Sequence, residues 1–167
     1  GENRIMVKYG IELLKKQLRP GIRALIETSR IKSGLKPSDI TFKLAPRINA
    51  AGRLGDANTA LKLLEAENIV DAYNYSAALE EYNSQRQDKE QEIYLEAKSL
   101  IERTIDIQSK YSIVVAGHGW HQGVIGIVAS RLARDYNRPA IVLTIQDGEA
   151  HGSGRSIGNL NLVKVLG

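Results

Sequence analysis

The sequence predicts an α/β protein: a helical connector with a long bridging helix, then a partial mixed β-sheet domain built on a βαβ unit. Three observations carry that expectation. Apolar residues recur at helical spacing through the first part of the chain. A helical pattern then runs from Asn68 to about Arg103 with no Gly or Pro inside it. Beyond Tyr111 the pattern shortens to β-branched runs separated by one more helical stretch.

The elements follow in order. IMVKYGIELLKKQL (5–18) and GIRALIETSRI (21–31) read as two short helices, and Pro20 breaks the first because it lacks an N–H and disfavours helical geometry at Arg19. SGLKPSD (33–39) reads as a turn, with Ser38 or Asp39 a candidate cap for a following helix. From Asp56, the residues Ala57, Ala60, Leu61 and Leu64 mark an apolar helix face. Asn68 caps the long helix, with Asp71 in its first turn. Within it, NSQRQDKEQE (83–92) has no apolar residue, and apolar positions return at Ile93, Ala97, Leu100 and Ile101. A helix that is polar on every face is suited to bridging two lobes through solvent.

YSIVVA (111–116) and AIVLTI (140–145) read as strands flanking the helix GVIGIVASRLARDY (123–136). Strand, helix and strand at that spacing form a βαβ unit with parallel strands. Asp147-Gly148 is a hairpin signal, so EAHGSGRS (149–156) is the antiparallel return strand, and a final helix begins near Asn159. The expected division is 1–67 helical region, 68–106 bridging helix and 107–167 sheet domain.

Composition narrows the function. Of 167 residues, 43% are hydrophobic and 25% charged, which fits a globular protein rather than a disordered one. The chain has no cysteine, which excludes disulfides and thiolate metal sites and fits a reducing cytosol. No apolar run approaches the ~18 residues of a membrane span, and no charged-then-apolar leader opens the chain. Gly1 in place of an initiator Met suggests a piece of a longer protein. The formal net charge of +4 is unevenly spread: residues 1–60 are strongly basic, 61–110 acidic and 111–167 mildly basic. Basic surfaces attract polyanions, though this balance alone is not diagnostic.

Three segments could carry chemistry. In APRINAAGRLGDA (45–57), Arg47 and Arg53 flank Asn49, and Gly52 allows close backbone approach. Arginine grips phosphate oxygens with a planar fork, but two solvated arginines on a helix give the same pattern. GHGWHQGVIGIVASR (117–131) puts a Gly/His-rich loop at a helix N-terminus, a position receptive to anions, where His121 is either a phosphate donor or a turn residue. Its glycine spacing is one residue too long for a dinucleotide fingerprint. His118, His121 and His151 come with no carboxylate cluster that would make a metal site. In HGSGRSIGNL (151–160), an extended strand puts Ser153 and Arg155 on one face and Ser156 on the other. That is either a cradle for a terminal phosphate or a glycine-rich edge strand.

PRINAAGRL (46–54), the long helix with Asn83, Arg86 and Gln87, WHQGVIGIVASRL (120–132) and GSGRS (152–156) occur in the order found in the RecJ family. Over nearly its whole length the chain resembles these bacterial single-strand-specific 5′→3′ DNA exonucleases of the DHH phosphoesterase superfamily, and GENRIMVKYG (1–10) resembles the stretch after their catalytic DHH domain. In that family Mn²⁺ or Mg²⁺ is held by Asp and His residues of the N-terminal domain, including an Asp-His-His triplet. Those motifs are not in this sequence, nor is the Gly-Gly-His block expected after GSGRS. The resemblance therefore implies a connector, a bridging helix and part of a DHHA1-like nucleic-acid-binding domain, with no catalytic or metal residue of its own and no activity in isolation.

By the same resemblance, the DHHA1 domain closes over the catalytic domain and leaves a groove for one strand. Ser153, Arg155 and Ser156 would hold the 5′-phosphate. Arg47 or Arg53, beside Asn49, would contact phosphate, and His121 would line the cleft. The implied partner is single-stranded DNA, with a single-strand-binding protein and a repair helicase as further candidates, in DNA repair and recombination in the bacterial cytoplasm and away from membranes. The other readings are a DHH-family phosphodiesterase for short RNA or cyclic dinucleotides, and a non-catalytic nucleic-acid-binding module.

Overall fold

The structure is a computed structural model that describes residues 1–16, 18–32 and 34–167. Gln17, in the expected first helix, and Ser33, in the expected turn, lie outside the described residues. The chain divides within its long helix into two compact units, Gly1–Arg86 and Gln87–Gly167.

The first unit is helical. Helix α1 (Glu2–Lys16) ends before Pro20, and Pro20 takes the first position of α2 (Pro20–Thr28). Arg19 takes φ −59°, ψ 148°, the extended geometry that a following proline demands. The expected turn at 33–39 instead becomes the start of helical structure: α3 (Pro37–Asp39), a π-helical turn (Ile40–Leu44) and α4 (Ala45–Leu54). Because Pro37 takes the first helical position, the N-cap of α3 moves back to Lys36; Ser38 does not cap, and Asp39 is the N-cap position of the π-helical turn without a capping bond into it. Asp39 reaches back instead, accepting the Lys36 N–H at 3.0 Å and pairing with the Lys43 ammonium at 2.8 Å. Lys43 first and the Lys36 N–H second hold the Asp39 carboxyl below its ordinary pKa. The widened turn ends just before Pro46, which has no N–H to give the preceding turn; a π-turn absorbs that missing bond.

Asp56 caps α5 (Ala57–Glu65) by accepting the Asn58 N–H at 2.9 Å. The buried face of α5 is Ala60 and Leu63, whereas Leu61, expected inside, is exposed. The reason lies in α2. A Cβ on Gly21 would fall 1.7 Å from the Leu63 carbonyl oxygen, so the two backbones touch along the Leu63 side. Leu25, Leu63 and Leu79 are fully buried, interleaved with Ala24, Ala51 and Ala72, whose small side chains permit close helix crossings.

Helix α6 (Ile69–Thr104) starts where Asn68 accepts the Asp71 N–H at 2.9 Å. Its stretch 84–92 has no buried residue, so the polar run faces solvent. Its first part belongs to the first unit and its last part to the second.

In the second unit, β1 (Ile113–His118), α7 (Gln122–Tyr136) and β2 (Ala140–Gln146) form the expected βαβ unit, with β1 and β2 parallel. β3 (Glu149–Arg155) returns antiparallel to β2, giving the order β1-β2-β3. Asp147 (φ 51°) and Gly148 (φ 81°) make the tight turn, both in the left-handed region that a type I′ hairpin needs. α7 buries Val124, Ile125, Val128, Ala129, Leu132 and Ala133, and Ile113, Val115, Ala140 and Val142 are buried on alternate strand positions. The last helix, α8 (Leu162–Leu166), begins after Asn161 rather than near Asn159, because Gly158 turns the chain at φ 54° and the Asn161 side chain supplies the cap.

The Gly21 contact predicts a contrast between two glycines. Gly21→Ala forces α2 off α5 and lowers stability by about 1–3 kcal/mol, the usual range for overpacking. Gly52→Ala, where an added Cβ meets nothing within 4 Å, raises it by about 0.5–1 kcal/mol through helix propensity. Denaturant midpoints of the two variants check this, and equal midpoints would contradict it.

Candidate nucleic-acid interface

β3 alternates glycine with polar residues, and the register explains why. Ser153 lies opposite Val142 and Arg155 opposite Ala140, both buried, so Ser153 and Arg155 share the face that meets α7. Gly152 and Gly154 take the other face. There a Cβ on Gly152 would fall 2.4 Å from Leu143 Cδ2, and one on Gly154 would fall 3.3 Å from Leu162 Cδ1. These glycines make room for leucines rather than forming a cradle for an anion. The side chains of Ser153 and Arg155 are confined to the opposite face.

On that face the Arg155 guanidinium is fixed at two points. Its Nε–H donates to Ser130 Oγ of α7 at 2.8 Å, and Nη1 donates to the Gly154 carbonyl at 2.8 Å. Ser130 Oγ in turn donates to the Gly126 carbonyl at 2.9 Å. The point where a side chain on Gly126 would begin lies 3.0 Å from Ser153 Oγ and 3.5 Å from Arg155 Nη2. Gly126 thus forms a notch in α7 on which the hydroxyl and the guanidinium converge. The Arg155 side chain is exposed, and three of its five N–H donors have no partner among the described residues. Ser156 is exposed just past the end of β3, so strand alternation does not extend to it.

His121 is the N-cap of α7: its Nδ1 accepts the Gly123 N–H at 3.1 Å, and its carbonyl takes the Val124 N–H at 2.9 Å. The helix amides expected to receive an anion are thereby used by the cap. Accepting at Nδ1 puts the proton of a neutral imidazole on Nε2, so His121 presents one N–H donor outward. It lies five residues before Gly126 on the same helix, roughly 7 Å of rise, and no hydrogen bond among the described residues joins it to Ser153 or Arg155.

The G-x-G of the 117–119 loop has a packing explanation. A Cβ on Gly117 would fall 2.1 Å from the Trp120 ring, and Gly119 takes φ 69°. Trp120 is 3% exposed, and its Nε1–H donates to Glu96 Oε2 at 2.8 Å. A second tie holds α6 to α7: Arg131 stacks 3.6 Å from the centre of the Tyr94 ring and donates to Gln91 at 2.9 Å. The Tyr94 hydroxyl donates to Asp135 at 2.9 Å. Burial first and the Asp135 carboxylate second raise the Tyr94 pKa, keeping it a donor. Sequence reasoning missed Ser130, Gly126 and these ties. The signal was present as a glycine and a serine four residues apart on one face of an otherwise apolar helix.

In the first unit, α4 separates its polar residues by face. Asn49, Gly52 and Arg53 are exposed together at i, i+3 and i+4. Arg47 lies beside the buried Ala50 and Ala51, with its side chain 14% exposed. Its Nε pairs with Glu80 Oε2, its Nη2 donates to Glu80 Oε1 at 3.2 Å, and its Nη1 donates to the Lys43 carbonyl at 2.8 Å. Arg47 therefore clamps α4 to α6. Among the described residues no backbone makes the close approach expected at Gly52.

Among the described residues no group of three or more His, Asp or Glu could hold a metal ion. His121 Nδ1 is occupied as a cap, and His151 Nε2 lies 3.6 Å from Glu149. No helix among the described residues is long and apolar enough to cross a membrane.

Comparison with known proteins bears on this arrangement. The DHHA1 domain family matches residues 108–167. The chain is 39% identical over 169 residues to the single-stranded-DNA-specific exonuclease RecJ of Dickeya dadantii, covering 98% of this chain and 29% of that protein. It is also 39% identical to RecJ of Bacillus subtilis, of which it covers 21%. The chain thus spans less than a third of the length of these relatives. A crystal structure of RecJ from Thermus thermophilus in complex with Mn²⁺ matches 99% of this chain with a TM-score of 0.85 and 32% identity, over 24% of that chain. A crystal structure of the same protein with Mg²⁺ matches equally well.

The Glu96–Trp120 bond predicts a stability effect with an optical readout. Glu96→Ala leaves a buried indole N–H unpaired and costs about 1–3 kcal/mol. It also red-shifts emission from Trp120, the only tryptophan of the chain. Glu96→Gln keeps an acceptor and stays near wild type in both. An Ala variant with unchanged emission and midpoint would contradict the assignment.

Proposed function

We propose that this chain, which is similar to RecJ exonucleases over nearly its whole length, comprises the connector and part of the DHHA1 domain and is the strand-holding part of a 5′→3′ exonuclease specific for single-stranded DNA. The observation that carries the reading is the convergence of Ser153 Oγ and the Arg155 guanidinium on the Gly126 notch. A terminal phosphate monoester carries more negative charge than an internal diester and one more acceptor oxygen free of the chain. An arginine with open N–H donors beside a hydroxyl favours that group, through charge-assisted bonds of fixed geometry. Holding the strand by its end sets which phosphodiester bond lies at the reactive position, so end recognition is also substrate positioning.

The other site residues take supporting roles in this proposal. Asn49 and Arg53, on the outward face of α4, contact backbone phosphates. Arg47 does so with the N–H donors that Glu80 and Lys43 leave over. The His121 Nε2–H donates to the strand, and Ser156 extends the serine–arginine pair beyond β3. Mn²⁺ or Mg²⁺ belongs to residues of the complete protein outside this chain. The functional division we propose remains 1–67, 68–106 and 107–167. The reading extends to DNA repair and recombination in the bacterial cytoplasm, with a single-strand-binding protein and a repair helicase as partners.

Two measurements test this. The isolated 167-residue chain with Mn²⁺ leaves single-stranded DNA intact, and robust degradation would overturn the reading. In the complete protein, Arg155→Ala lowers the preference for 5′-phosphorylated over 5′-hydroxyl strands at least about tenfold, the scale of a lost charge-assisted bond. An unchanged preference would remove Arg155 from the site.

A further inference from the structure

We infer that Ser130 is a positioning residue for Arg155, and that Gly126 and Ser130 together form a seat on α7 that aims the guanidinium. The inference rests on the 5′-phosphate reading above and deepens it. An arginine side chain on a strand has four rotatable bonds, and in water an exposed one samples many rotamers. Here two bonds remove that freedom. Ser130 Oγ accepts from Nε at 2.8 Å, and the Gly154 carbonyl accepts from Nη1 at 2.8 Å. With Nε and one Nη1 donor held, the three remaining donors lie on Nη1 and Nη2, the paired end of the guanidinium. That end matches two oxygens of one phosphate.

Ser130 suits the task because its own proton is committed. Its hydroxyl donates to the Gly126 carbonyl at 2.9 Å, one turn back in the helix, which leaves its lone pairs directed at Arg155. Alanine cannot accept. Threonine can, and it makes the same bond to a carbonyl one turn back. Gly126 supplies the clearance. Any side chain there begins 3.0 Å from Ser153 Oγ and 3.5 Å from Arg155 Nη2, so even a methyl group presses on the hydroxyl and a longer side chain reaches the guanidinium. The 126–130 pair therefore couples both phosphate-binding groups to a single helix face. Ser130 acts only through Arg155.

The test uses the complete protein and the ratio of kcat/KM for 5′-phosphorylated against 5′-hydroxyl single strands. Ser130→Ala lowers that ratio roughly three- to tenfold, as expected for one hydrogen bond, through KM for the phosphorylated strand and not through kcat. Ser130→Thr restores it. Adding Ser130→Ala to Arg155→Ala changes the ratio no further, because the residue acted upon is gone. A residue that merely stabilised α7 would instead shift both substrates equally and lower the melting temperature in either background. If Arg155→Ala alone leaves the ratio unchanged, the 5′-phosphate reading fails, and this inference with it. If Arg155→Ala lowers the ratio but Ser130→Ala leaves it at the wild-type value, or the two effects add, the reading stands and the inference is wrong.

Discussion

The close approach of α7 to β3 is the contact on which the candidate site depends. A helix packed on a sheet normally keeps a layer of side chains between the two. Here α7 carries glycine at 126, and Ser153 Oγ and Arg155 Nη2 fill the space that a side chain would occupy. One turn further along, Ser130 is near enough to bond Arg155. Neither contact survives if the helix stands off by the width of a methyl group. The fold keeps it close by burying Val124, Ile125, Val128 and Leu132 of α7 and by fastening its outer side to α6 through Tyr94, Arg131 and Asp135.

The glycines of the two glycine-rich stretches divide into separate tasks. Gly117 seats an indole, Gly119 makes a left-handed turn, Gly152 admits Leu143 and Gly154 lies beside Leu162. None of them lies on the face that carries Ser153 and Arg155. The resemblance to phosphate-binding loops is therefore superficial, since such loops bind anions through the glycine backbone amides. In this chain the candidate phosphate ligands are side chains projecting from the opposite face of an ordinary antiparallel strand.

Much of the fold was legible because it rests on local rules. The Asn68 cap, the Asp147-Gly148 hairpin and the parallel β1–β2 pair follow from turn chemistry and from strand–helix–strand spacing, and the structure has all three. Ser153 and Arg155 sharing a face followed from the strand period alone. What was not legible depended on tertiary contact. Leu61 turned outward because Gly21 brings α2 against Leu63. The Lys36 cap and the π-turn follow from two prolines acting together within one helical path. Glu80, 33 residues away, holds Arg47, a partner that the local pattern around Arg47 does not reveal. Ser130 could not be singled out, because its partner is 25 residues downstream and is specified only by sheet register.

The central claim is that Ser153 and Arg155 together take the terminal phosphate. A crystal structure of the complete protein with a 5′-phosphorylated single strand tests it most directly. The account predicts oxygens of the terminal phosphate about 2.7–3.1 Å from the Arg155 outer nitrogens and from Ser153 Oγ, with Arg155 still bonded to Ser130. A terminal phosphate bound elsewhere, or an internal diester at Ser153 and Arg155, would contradict it.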